Sequence, residues 1–164
     1  MNAASSAFGQ AGSFVGLVSA EGVIPALPVL AKDAALLALA RHASALVGQS
    51  AMLILERLRM REALGPTGFG GGVAIPHVRL ADLPACLAVV ARLPEPIEWG
   101  AVDGQPVDIL VLLLSPEGAG ADHLKALARV SRALRDPETL PALRAATDAD
   151  AMLAVLAGQS AVAA

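Results

Sequence analysis

The chain of 164 residues is poor in the groups that stack, cross-link or anchor. It has one cysteine, one Trp, three Phe and no Tyr. A single thiol, Cys86, excludes an internal disulfide. Its place in the apolar run CLAVVARL predicts a buried, inert side chain. Aromatics make up 2% of the chain and the formal charge is −3. That leaves neither the stacking faces nor the basic stripe of a nucleic-acid binder. Nowhere do roughly 18 unbroken apolar residues occur, the length a helical membrane span needs. Lys32 and Asp33 interrupt the best candidate. The opening stretch MNAASSAFGQAGSFVGLVSA has no charged side chain. It also lacks the basic start and continuous apolar block of a secretion signal. It predicts a flexible N-terminal arm over residues 1–15, and a cytoplasmic protein.

What is present is aliphatic. Hydrophobic residues make up 55% of the chain, mostly Ala, Leu and Val, enough for one helix-rich core. KDAALLALARHASALVG predicts a helix with Asp33 as N-cap, Leu36, Leu39, Ala43 and Leu46 on one face, and Gly48 as its stop. Ser50 caps a second helix, AMLILERLRMREAL, with Ala51, Ile54, Leu55 and Leu58 inward. Gly65 and Pro66 end it, and a glycine loop runs from 65 to 77. ACLAVVARL, bounded by Pro84 and Pro94, and VDILVLLL, 107–114, predict strands. The second is apolar almost throughout, as in a strand covered on both faces. After the loop SPEGAGA, Asp122 is the expected N-cap of a helix burying Leu124, Leu127, Val130 and Leu134. Asp136–Pro137 and Asp148 open two shorter helices, and a flexible tail is expected over 159–164. Helices alternating with buried strands predict a single α/β domain with helices on both faces of the sheet.

Within this frame the segment GFGGGVAIPHVRL, 68–80, sets four glycines just before a Pro-His pair. Pro76 fixes its own φ and pushes Ile75 into an extended conformation. The glycines before it either form a tight turn or aim several backbone N–H groups, Gly68 and Gly70 among them, at an anion. The loop is no Walker A motif, because no Gly-Lys-Ser/Thr follows. It is no Rossmann fingerprint either, because it follows a helix. His123 opens a helix after a buried strand, where ligands of open α/β sheets bind and where the helix end disfavours its protonation. With His77 and His123 as the main ligand candidates, a zinc set of three or four is not in sight, and no metal or other cofactor is expected. His42, on the first helix, reads as a partly exposed structural residue. A neutral imidazole with a free lone pair can attack an activated phosphoryl group. Arg61, at the end of the second helix, and Arg79 can clamp the phosphoryl oxygens.

The stretch REALGPTGFGGGVAIPH, 61–77, resembles the phosphorylation-site signature of enzyme IIA domains of the bacterial phosphoenolpyruvate-dependent phosphotransferase system. The match is to the fructose/mannitol class and, within it, most closely to the nitrogen-regulatory branch. Similarity continues through PVDILVLLLSPEGAGADHLKALARVSRALRD and spans about 16–158, the expected IIA type-2 domain. The resemblance implies a mixed β-sheet flanked by helices. It assigns His77 as phosphoryl acceptor, His123 as the second active-site histidine, Arg61 as its supporting arginine and Thr67 as a loop residue near the phosphate. It implies a phosphorylated histidine-containing carrier protein as donor, and targets such as kinases or potassium transporters that read the phosphorylation state. Three residues depart from the pattern: Pro66 in place of Ser, Gly71 in place of Asn, and Val78 in place of Gly. At this length no fused carrier, IIB or membrane domain is expected, which favours regulation over sugar import. A sugar-transport IIA and a non-catalytic interaction module with the same fold are the alternatives.

Overall fold

Strand β6 (Val107–Pro116) is the spine of the molecule, and its alternation shows how both faces of the sheet are buried. Leu110, Leu112 and Leu114 belong to one apolar cluster, and Ile109, Val111 and Leu113 to the other. Successive side chains of a strand point to opposite faces, so this unbroken apolar run needs a cover on each side. Each fully buried aliphatic side chain contributes about 1.5–3 kcal/mol. The computed structural model describes residues 14–158.

The other elements are β1 (Val23–Ile24), α1 (Lys32–Val47), α2 (Ala51–Ala63), β2 (Gly68–Gly70), β3 (Val73–Ala74), β4 (His77–Leu80), β5 (Leu87–Ile97), α3 (Gly120–Arg135), α4 (Thr139–Ala145) and α5 (Ala149–Leu156). The sheet runs β1-β5-β6-β3-β2, with β4 also paired to β6. It is mixed: β5 is antiparallel to β6, while β3 and β4 are parallel to it. Helices α1 and α2 supply buried residues to the first cluster; α3, α4 and α5 supply the second. The α/β domain with helices on both faces is therefore what forms.

Several local expectations shift. The N-cap of α1 is Ala31, without a side-chain cap. Asp33 sits in the first turn, where a carboxylate suits the helix dipole, and receives Arg59 in a two-pronged contact at 2.8 and 2.7 Å. Strand β5 does not stop at Pro94 but continues to Ile97. Its register against β6 slips between Arg92 and Ile97, the kind of irregularity in which a residue without an N–H fits a strand. Helix α3 starts at Gly120 with Ala119 as N-cap, so Asp122 lies inside the helix. Its buried face is His123, Ala126, Val130, Ala133 and Leu134, and Leu124 is 65% exposed. The inward stripe begins one residue earlier than its leucines suggest, with an imidazole as its first member. The expected arm over 1–15 is docked at its end: Phe14 is buried and its N–H donates to Leu156 O at 2.8 Å. The rest of the arm, and the tail over 159–164, lie outside the described residues.

The glycine loop is a hairpin. Gly68 pairs with Ala74 and Gly70 with Val73, leaving Gly71 and Gly72 as the two turn residues at φ +67° and +83°. Positive φ at both positions is the primed turn that suits a tight hairpin and that glycine adopts without strain. Gly71 N donates to Asp103 Oδ2 at 3.0 Å, and Gly71 O accepts from Arg144 Nη2 at 2.7 Å. At Gly68 a Cβ would lie 2.6 Å from both Cα and Cβ of Ala101, so close backbone approach, not flexibility, requires the glycine there.

Candidate active site

The chain leaves the hairpin along β6, breaks at Pro76 and re-enters the ladder at His77. Pro76 has no N–H to donate, but its carbonyl accepts from Leu113 N at 3.0 Å. This keeps β3 and β4 on one line beside β6. Among the described residues β4 pairs with β6 alone, so its outer edge is open. Val78 and Leu80 point into the core. His77 and Arg79, two residues apart, therefore share the other face of the strand.

The hydrogen bonds of His77 define its tautomer. Nδ1 lies 2.9 Å from Ile75 O, which only accepts, and Nε2 lies 3.1 Å from Arg61 Nε, which only donates. The proton therefore sits on Nδ1 and the lone pair on Nε2. Arg61 is held by a second bond, from Nη1 to Gly65 O at 2.9 Å. The ring of His123 faces that of His77 with centroids 5.4 Å apart and planes tilted by 52°. It is 5% exposed, and its Nδ1 is 2.6 Å from Ser115 Oγ.

Both imidazoles are held below their ordinary pKa of 6.5. Burial is the largest cause for each; the Ile75 carbonyl partly opposes it at His77, while the Arg61 and Arg79 charges lower it further. At His123, His77 and Arg79 add to burial. The expectation of a neutral His123 therefore stands, but desolvation rather than the helix end leads it. Two neutral rings beside two guanidinium groups put net positive charge next to an unprotonated ring nitrogen, an arrangement that suits an anion. The pH dependence follows. An unfolded chain takes up protons near 6.5, and the folded site resists them until lower pH. Stability from these groups is complete above about 6.5 and falls as pH drops through the window beneath it. NMR titration is expected to place both ring midpoints below 6.5, with the melting temperature declining over the same window; a midpoint at or above 6.5 for His77 contradicts this.

The remaining expected site residues divide. Gly70 is not brought to His77. It pairs with Val73, at the level of Ile109 on β6, whereas His77 sits at Leu113, four strand steps or about 13 Å further on. Of the two readings of the glycine run, Gly71 and Gly72 form the tight turn, and the chain must climb β6 before it reaches the histidine. The glycine at Gly68 is accounted for by Ala101. The Thr67 hydroxyl contacts Glu62 Oε1 and lies 3.4 Å from Trp99 Nε1, so it is engaged by the loop's supports rather than by either imidazole. Those supports were not legible in the sequence: Glu62, whose side chain is 6% exposed, pairs with Lys32 at 2.8 Å and accepts from Thr67 N at 3.2 Å. Lys32 in turn donates to Trp99 O at 3.0 Å. Thus the residue next to Arg61 ties the start of the hairpin to α1. Ser115, too, was missed; its one signal was a hydroxyl closing an apolar strand. Among the described residues no group of three or more His, Cys, Asp or Glu is placed to hold a metal ion.

The family model for the phosphoenolpyruvate-dependent sugar phosphotransferase system, EIIA 2, matches residues 17–159, and the chain belongs to that family. Within it, the chain is 52% identical over 141 residues to a nitrogen regulatory protein of Bradyrhizobium diazoefficiens, covering 86% of this chain and 92% of that one. A nitrogen regulatory protein of Pseudomonas aeruginosa is 41% identical over 106 residues, 65% and 69% of the two chains. The crystal structure of the nitrogen regulatory protein IIA-Ntr of Neisseria meningitidis superposes with a TM-score of 0.82 at 29% identity, over 88% of this chain and 99% of that one.

Proposed function

We propose that His77 is the residue on which this protein, a phosphoryl carrier of the nitrogen-regulatory IIA type, accepts its phosphoryl group. The observation that carries this is the tautomer: Nδ1–H is committed to Ile75 O, so Nε2 keeps the lone pair, and Arg61 is the group that donates to it. The donor is a small carrier protein phosphorylated on its own histidine. Nε2 attacks phosphorus, the P–N bond to the carrier breaks, and the electron pair of that bond returns to the carrier's imidazole. Positive charge that develops on the His77 ring is shared with Nδ1–H and met by the Ile75 carbonyl. Arg61 moves its N–H groups from Nε2 to the phosphoryl oxygens, Arg79 adds a second charge, and the work is positioning and electrostatics rather than strong-base chemistry. His123 supports the phosphoryl group from the other side.

The targets that read the phosphorylated state belong to the regulatory branch, kinases or potassium transporters among them, in the cytoplasm. No helix of the described residues is long and apolar enough to cross a membrane. The test is incubation with the phosphorylated carrier. One acid-labile, base-stable phosphoryl group per chain is expected, mapping to the peptide that contains His77. No uptake, or a label elsewhere, overturns the assignment.

A further inference from the structure

Nδ1 and Nε2 of an imidazole lie on opposite sides of the ring. With Nδ1 of His123 on Ser115, Nε2 is the nitrogen left for the site. We infer that Ser115 is a positioning residue that holds His123 in the tautomer with its proton on Nε2, so that the ring donates a hydrogen bond to the phosphoryl group. The inference rests on the reading of His77 as phosphoryl acceptor.

Ser115 is fully buried near the end of β6, on the face it shares with Ile109, Val111 and Leu113. A hydroxyl there costs stability unless it is hydrogen-bonded. Among the described residues its oxygen has two partners, His123 Nδ1 at 2.6 Å and the thiol of Cys86 at 3.5 Å. Cys86 lies just ahead of β5 and is half-buried, not sealed in the core as its sequence context suggested. A thiol is a weak donor and a poor acceptor. The single hydroxyl proton therefore goes to the imidazole, the better acceptor, and the thiol donates weakly to the oxygen left behind. In the opposite tautomer Nδ1–H donates to Ser115, the hydroxyl proton is left with only sulfur, and the Nε2 lone pair faces an incoming dianion. Because burial and the neighbouring charges keep this ring neutral, it is the tautomer, not protonation, that makes His123 a donor.

The experiment reads the tautomer directly. In the unphosphorylated, 15N-labelled protein, the ring shifts of His123 are expected to show the proton on Nε2. Ser115→Ala is expected to give a mixture of the two tautomers and to slow phosphoryl acceptance roughly 10-fold, on the scale of the smallest losses seen when a metal-bound histidine loses its outer partner. Full labelling of His77 is retained in that variant. Ser115→Thr, which keeps the hydroxyl, is expected to restore both readouts. A wild-type His123 protonated on Nδ1, or a Ser115→Ala protein unchanged in tautomer and rate, overturns the inference. If Ser115→Ala does not fold, the wild-type measurement still decides it. A wild-type protein that takes no label overturns the acceptor reading instead, whatever the tautomer shows.

Discussion

The His77→Ala protein is expected to take up no phosphoryl group above background from the phosphorylated carrier, while it melts within a few degrees of wild type. The loss is complete because the variant has no acceptor, not a slower one. His123 does not substitute. Its ring is 5% exposed and its Nδ1 is engaged by Ser115, so it cannot meet a donor protein in line. The cost in stability is small. The His77 ring is half-buried, and the substitution removes its bonds to Ile75 O and Arg61 Nε, each worth about 1 kcal/mol net at most, or roughly 2–4 °C apiece for a domain of this size. Full uptake by His77→Ala, read by acid-labile label and intact mass, would place the acceptor elsewhere. A protein that binds its targets equally well in wild-type and His77→Ala forms, and is never labelled, is the interaction module.

The second large effect is expected at Arg61. Its guanidinium makes two bonds in one plane, to His77 Nε2 at 3.1 Å and to Gly65 O at 2.9 Å. Lys keeps the charge but loses the fork, and one ammonium group on a flexible stem does not reproduce both contacts. Arg61→Lys is expected to slow phosphoryl acceptance by about one order of magnitude. Arg61→Ala is expected to slow it by about two to three, the usual cost of removing a donor aimed at transition-state charge. Final stoichiometry is unchanged in both, because Nε2 still carries its lone pair. Rapid-mixing transfer from the carrier measures this, and equal rates in Arg61→Lys and wild type would mean that Arg61 acts by charge alone.

How much was legible depends on how local the cause is. Ser50 as a cap, Gly48 as a stop and the buried spine 107–114 were readable, because each depends on a few neighbouring residues and one periodicity. Leu124 was misread because leucines alone do not reveal the phase of an amphipathic helix when the inward stripe includes a histidine and two alanines. The glycine run was ambiguous for a different reason. A tight turn and an anion nest use the same freedom of φ, and which one forms is decided by Ala101, Asp103 and Arg144, each some 30 or more positions away. The Lys32–Glu62–Trp99 support under Thr67 was out of reach for the same cause, since its members come from separate elements.

By itself the sequence determined the α/β layering, the stiff Ile-Pro entry to His77 and the residue types of the site: two imidazoles, with Arg61 and Arg79 at hand. Periodicity and backbone chemistry act over a few residues and need no partner. Only the tertiary structure decided which nitrogen of His77 carries the proton, that His77 and His123 face each other across 5.4 Å, and that the glycines close a turn about four strand steps from the histidine. These depend on Ile75, Arg61 and Ser115 meeting the rings from different elements. Parallel pairing of β4 with β6 and the start of α3 at Gly120 bring them together, and no spacing along the chain encodes that meeting.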